Sequence, residues 1–93
     1  MRIVWRSIAA ADLDSIIDYI TQDNPLAALE LGDTIMRRVA ELADQPRLHR
    51  TGRVRRTREM VVHPNYLVVY RIMRGTIEIV RVLHAARQYP PAQ

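Results

Sequence analysis

The hydrophobic pattern of this 93-residue chain changes period once, near Pro46, and that change constrains its fold more than any other feature. Before it, apolar residues recur at steps of three and four. Within residues 8–22, Leu13, Ile16, Ile17 and Ile20 fall on one helical face, with Asp12, Asp14 and Asp18 mostly on the other. Ser7 is the expected cap of this helix. Asn24-Pro25 then restarts the chain, Asn as cap and Pro at a first helical position where its fixed φ is preorganised. From Pro25 to about Asp44, Ala28, Leu31, Ile35, Val39 and Leu42 trace a second stripe, and Pro46 ends it. Two helices joined so tightly must run antiparallel.

After the change the period is two. Glu59 to His63 reads as a strand closed by the turn Pro64-Asn65. Tyr66 to Ile72 is apolar on both faces, as a central strand is, and Arg74-Gly75 makes the next turn. Thr76 to His84 is a third strand, with Ile77 and Ile79 expected on one face and Val80 and Val82 on the other. Residues 85–93 form a tail containing Pro90-Pro91. Ile3, Val4 and Trp5 suggest a short strand at the start. The expected fold is α+β over one domain, residues 1–93, an N-terminal antiparallel helical hairpin packed on one face of a small twisted antiparallel β-sheet. Ile16, Ile35, Val68 and Ile79 are the expected core positions.

The charge is as segregated as the hydrophobicity. Residues 1–46 carry four Arg against eight acids, a net −4, whereas residues 47–93 carry ten Arg against two Glu, a net +8. Every basic side chain is Arg, whose planar fork suits phosphate or carboxylate. Six of them lie between Arg47 and Arg58 with no acid among them, so this segment wants an anionic partner. Arg53, Arg55, Arg56, Arg58, Arg71, Arg81 and Arg87 are the candidates for partner or target contact, and the Arg47–Arg58 segment with Arg71, Arg81 and Arg87 is expected to form one continuous basic surface. For Arg71 and Arg81, inside otherwise apolar strands, a structural pairing with Glu59 or Glu78 is the alternative.

Several chemistries are excluded or unsupported. No cysteine is present, which removes disulfides, thiolate metal sites and cysteine nucleophiles. His49, His63 and His84 lie on separate segments without metal-ligand spacing, and no phosphate-binding glycine loop exists, so neither metal nor cofactor is expected. No apolar run approaches a membrane span and no apolar segment follows Met1–Trp5 as in a signal peptide, so a cytoplasmic protein with no membrane contact is expected. His84 with Arg87 and Tyr89 is the one cluster with acid–base and cationic groups for phosphate chemistry.

The ordered set of segments resembles the RelE/ParE superfamily of toxins from type II toxin–antitoxin modules. The residues that carry the resemblance are Ala11-Asp12-Leu13-Asp14-Ser15-Ile16, Asp23-Asn24-Pro25 with Ala27-Ala28, Thr57 to Val62, Pro64 to Arg71, and Ile77 to His84 with Arg87-Gln88. The resemblance implies a helical hairpin against a sheet. It also implies growth arrest, a role in plasmid stabilisation, and a cognate antitoxin encoded by an adjacent gene, with which the toxin forms a heterotetramer or larger hetero-oligomer. Within the family, one branch cleaves mRNA on the ribosome and the ParE branch acts on DNA gyrase. The ribonuclease branch implies an Arg directly after the first Tyr of the central strand, where this chain has Leu67. The resemblance therefore favours a ParE-like toxin acting on DNA gyrase. A ribosome-dependent endoribonuclease using His84, Arg87 and Tyr89 is the alternative, and a stand-alone nucleic-acid-binding module is a third reading. That third reading is weakened by the scarcity of aromatic residues for stacking bases: Trp5 and four Tyr.

Overall fold

The computed structural model describes residues 1–91; the end of the expected tail, residues 92–93, lies outside the described residues. Strand β1 (Arg2–Trp5) leads into helix α1 (Ser7–Asp23), which turns directly into α2 (Pro25–Glu41). A loop then carries the two-residue strand β2 (Arg50–Thr51), followed by β3 (Arg58–His63), β4 (Tyr66–Met73) and β5 (Thr76–His84). The five strands form one sheet in the order β1-β5-β4-β3-β2. The helical hairpin and the three-strand meander are as expected, but the sheet is mixed. β1 pairs in parallel with β5, Ile3 opposite Ile77 and Trp5 opposite Ile79, while every other pairing is antiparallel. Within the arginine-rich segment after Pro46, Arg50–Thr51 is ordered as β2 and pairs with β3.

The junction between the helices rests on Asn24. Its backbone N–H donates to Ile20 O at 2.8 Å, ending α1, and its side-chain Oδ1 accepts from Ala27 N at 3.1 Å, starting α2. One residue thus serves both ends, which leaves the chain no room for anything but a hairpin. Ser7 does not cap α1: it is already the first helical residue, and Arg6 occupies the cap position without a side-chain bond. α2 ends three residues before Asp44, though Leu42 still reaches the core, 1% exposed.

The core lies between the hairpin and one face of the sheet. Leu31, Ile35, Val39 and Leu42 meet Met60, Val62, Tyr66, Val68, Tyr70, Ile77, Ile79 and Val82. Ile35, Val68 and Ile79 are fully buried as expected, whereas Ile16 is only half-buried, because α1 lies toward the β5 side of the layer with one flank open. Tyr70 is fully buried, and its hydroxyl donates to Pro46 O at 2.6 Å, tying the exit of α2 to the central strand. Burial of the phenol raises its pKa above the ordinary value.

The hairpin between β4 and β5 turns on Arg74 (φ 40°) and Gly75 (φ 78°), both left-handed as a tight two-residue β-turn requires. Farther along, β5 carries a bulge: Val69 faces Arg81 and Tyr70 faces Ile79, so Val80 has no partner on β4. The extra residue breaks strict alternation. Val80 points to the face away from the helices, with Leu67, Val69 and Leu83, while Val82 returns to the helix side. Val80 and Val82 therefore do not share a face as alternation predicts.

Candidate functional site

The face of the sheet away from the helices is built around an apolar strip. Leu67, Val69, Val80 and Leu83 are buried there because the tail folds back and lays Tyr89 against them. Beside the strip opens a cleft of about 490 Å³ whose lining includes Arg50, Arg53, Glu59, Val61, Tyr66 and Leu67. Glu59 is its electrostatic centre. It is 3% exposed and accepts from Arg50 Nη2 at 3.2 Å, Arg53 Nε at 3.0 Å and the Arg53 backbone N–H at 2.9 Å. Burial alone would raise its pKa, but those donors outweigh burial and hold the carboxyl below the ordinary value. The Arg53 guanidinium also sits 5.7 Å from the centroid of the Tyr89 ring, so one arginine braces both the buried acid and the tail.

The candidate arginines divide by what they touch. Arg81 donates from Nε to Asp12 Oδ2 at 2.7 Å and from Nη2 to Asp12 Oδ1 at 2.9 Å, a bidentate pair between β5 and α1. The same carboxylate accepts from Val82 N at 3.0 Å, and its bonds raise the Arg81 pKa further above the solution range of other side chains. Arg81 pairs with Val69 on the face away from the helices, and its guanidinium reaches Asp12 past the part of β5 that β1 does not cover, since β1 pairs only with Thr76–Ile79. Arg71 Nε bonds Glu78 at 2.6 Å, and Glu78 also takes Arg6 Nε at 3.1 Å. Arg58 donates to two backbone carbonyls, His49 O at 2.8 Å and Arg47 O at 3.3 Å. Arg55, Arg56 and Arg87 are exposed and have no carboxylate partner among the described residues. Ion pairs thus interrupt the expected continuous basic surface: of the seven candidates, Arg53, Arg71 and Arg81 face carboxylates, and three point to solvent.

The pairing of Arg71 with Glu78 follows the structural alternative read from the sequence, whereas Arg81 finds Asp12. Asp12, expected on the face of α1 opposite the apolar stripe, lies three residues after buried Ala9 and four before Ile16, on the inward side of the helix. An acid on an apolar stripe is the signal that pointed to it.

His84 and Tyr89 fall on opposite faces of the sheet, while Arg87 is exposed in the turn between them, its backbone N–H donating to His84 O at 3.0 Å. His84 lies on the helix side of the sheet, edge-on to Tyr66 at 5.3 Å between centroids. It borders a cleft of about 590 Å³ shared with Ser15, Ile16, Tyr19 and Asn65. Its Nδ1 accepts from Ala86 N at 3.0 Å, which places the proton of the neutral ring on Nε2. Tyr89 packs on the opposite face with Leu67. Among the described residues no three His, Asp or Glu side chains gather as a metal site, and no helix is long and apolar enough to cross a membrane.

A helical hairpin on a mixed five-stranded sheet is the architecture of the RelE/ParE toxins. The chain belongs to that superfamily: residues 3–89 match the model of the ParE toxin of the type II toxin–antitoxin system parDE. It is 40% identical over 86 residues to Toxin RelE2 of Caulobacter vibrioides, spanning 92% of this chain and 97% of that one. It is 41% identical over 90 residues to Putative toxin Y4kP of Sinorhizobium fredii, 96% and 93% of the two chains. Among solved structures, a chain of the chromosomal ParDE system from P. aeruginosa superposes with a TM-score of 0.81 at 26% identity, covering 90% of this chain and 95% of that one. A copper-bound mutant toxin from Helicobacter pylori shares the fold, with a TM-score of 0.68 at 14% identity over 92% and 96% of the chains. The protein is therefore the toxin of a type II toxin–antitoxin system, and its partner is an antitoxin.

Proposed function

We propose that this toxin arrests growth by acting on DNA gyrase and does not cleave mRNA. The observation that carries the reading is the separation of the groups a nuclease would need. Metal-free cleavage of RNA requires a base for the 2′-hydroxyl, a cation for the non-bridging phosphate oxygens and an acid for the leaving oxygen, all around one phosphate. Here His84 and Tyr89 stand on opposite faces of the sheet. Leu67, in the slot where the nuclease branch has an arginine, is buried under the tail. Arg81 is committed to Asp12. The match to the ParE family model over nearly the whole chain supports the same branch. The toxin acts in the cytoplasm, where gyrase is, and is held inactive in a heterotetramer or larger assembly with the antitoxin of the adjacent gene.

The test is to induce the toxin, map mRNA ends on ribosomes, and assay supercoiling by gyrase with purified protein. Inhibited supercoiling with intact mRNA is expected, and co-expressed antitoxin should restore growth. Codon-positioned cuts that vanish in His84→Ala would overturn the gyrase reading in favour of the ribonuclease. The feature that keeps that second reading in view is the outward Nε2–H of His84 at the edge of an open cleft.

A further inference from the structure

The loop between α2 and β3 is built more rigidly than a solvated charge run needs to be. Gly52 N donates to Thr57 O at 2.8 Å, Thr57 N donates to Val54 O at 3.2 Å, and the Thr57 hydroxyl donates to the same carbonyl at 2.6 Å. Gly52 admits no side chain, since a Cβ there would stand 2.3 Å from Thr57 Oγ1. Within this closure Arg56 takes φ 65°, a left-handed conformation that disfavours a non-glycine residue. The result is a concave site of about 290 Å³ lined by Arg47, Thr51, Arg56, Thr57, Arg58 and Ile72. Arg58 is aimed by its two carbonyl bonds. No carboxylate lines the site, and neither Arg47 nor Arg56 has an ion-pair partner among the described residues.

We propose that this pocket holds a phosphodiester group of a nucleic-acid backbone. Three arginines lining one small concavity offer the guanidinium donors that a phosphate oxyanion takes, and Arg55, next in the chain to Arg56, adds positive charge for a neighbouring phosphate. The lining favours a nucleic acid over an acidic protein, because a protein contact needs an apolar anchor at its centre and only Ile72 among the six is apolar. The site is separate from the cleft at Glu59 and from His84. It stands whether the cellular target is gyrase, which works on DNA, or ribosome-bound message.

The test is fluorescence anisotropy of the full-length toxin with labelled short duplex DNA and, in a second arm, labelled single-stranded RNA, from about 50 to about 200 mM salt. Arg47→Gln with Arg56→Gln should reduce the slope of log K against log salt by about two for whichever polymer is the ligand. Arg37→Gln, an exposed arginine of α2 outside the pocket, should leave it unchanged. Unaltered circular dichroism and thermal midpoint would show that the double variant folds. Because Arg56→Gly relieves the left-handed backbone while removing the guanidinium, it should bind more weakly yet be at least as stable. The proposal is overturned if neither polymer binds the wild type, if only inorganic phosphate does, or if the double variant keeps its nucleic-acid affinity and loses antitoxin instead. No gyrase or ribosome enters the measurement, so its failure leaves the proposed target untouched.

Discussion

Replacing Asp12 with Ala should be among the most damaging single changes this chain can suffer outside its apolar core. The carboxylate accepts three hydrogen bonds, two from Arg81 and one from Val82 N, and the two charged side chains are only 12% and 14% exposed. Removing it leaves a largely buried guanidinium without a counter-charge and a strand N–H without an acceptor. The cost of the first alone is about 3–5 kcal/mol. A domain of this size has a total stability of about 5–14 kcal/mol at about 0.05–0.15 kcal/mol per residue. Asp12→Ala should therefore lower the thermal midpoint by about 15 °C or more. Asp12→Asn keeps the shape and one acceptor but still removes the counter-charge, so it should cost nearly as much, about 3 kcal/mol or more. The decisive variant is the double substitution Asp12→Leu with Arg81→Met. With both charges gone the desolvation penalty disappears as well, and stability should return to within about 1–3 kcal/mol of wild type, the remainder being the Val82 N–H left without its acceptor. Urea denaturation followed by circular dichroism gives all the corners of the cycle. An Asp12→Ala cost below about 1 kcal/mol, or a double variant as unstable as the sum of its singles, would refute the assignment of Arg81 to an internal pair and return it to the solvent-facing set.

Gly52→Ala should destabilise by about 1–3 kcal/mol, since the new methyl meets Thr57 Oγ1 at 2.3 Å and Thr57 backbone atoms at 3.1 Å; chemical denaturation would read the loss. The His49 pKa is lowered, first by burial and then by the charges of Arg38 and Arg58, so the folded state resists protonation. A depressed folded value means the unfolded chain takes up the proton first, and stability falls as pH drops from the unfolded value near 6.5 toward the lower folded one. His49→Gln should flatten that part of the pH–stability curve measured by thermal melting, and an unchanged slope would remove His49 as its source.

What is local in this fold is legible in the residue pattern. The three-and-four spacing of Ala28, Leu31, Ile35, Val39 and Leu42 specifies α2 because a helix has one period. Asn24-Pro25 specifies the hairpin because its cap and fixed φ act within a few residues. Pro64-Asn65 and Arg74-Gly75 specify the meander for the same reason. The charge split gave the arginine-rich half, and the ordered motifs gave the family. Contacts that join distant parts of the chain were decided only by the tertiary structure. β1 runs parallel to β5 because residues 2–5 meet residues 76–79, a pairing no local pattern encodes. The bulge at Val80 brings Val82 to the helix side, and a single inserted residue reverses faces without altering composition; Arg81 meets Asp12 across 69 residues of chain. An arginine looks alike in sequence whether it faces solvent or a buried acid. Arg53 and Arg81 therefore read as contact residues beside Arg55 and Arg56, until packing brought Glu59 and Asp12 within hydrogen-bond reach. His84 and Tyr89, five residues apart, read as one cluster, but the chain crosses the sheet between them. Local chemistry sets which elements form, and the sheet's two faces set which side chains can act together.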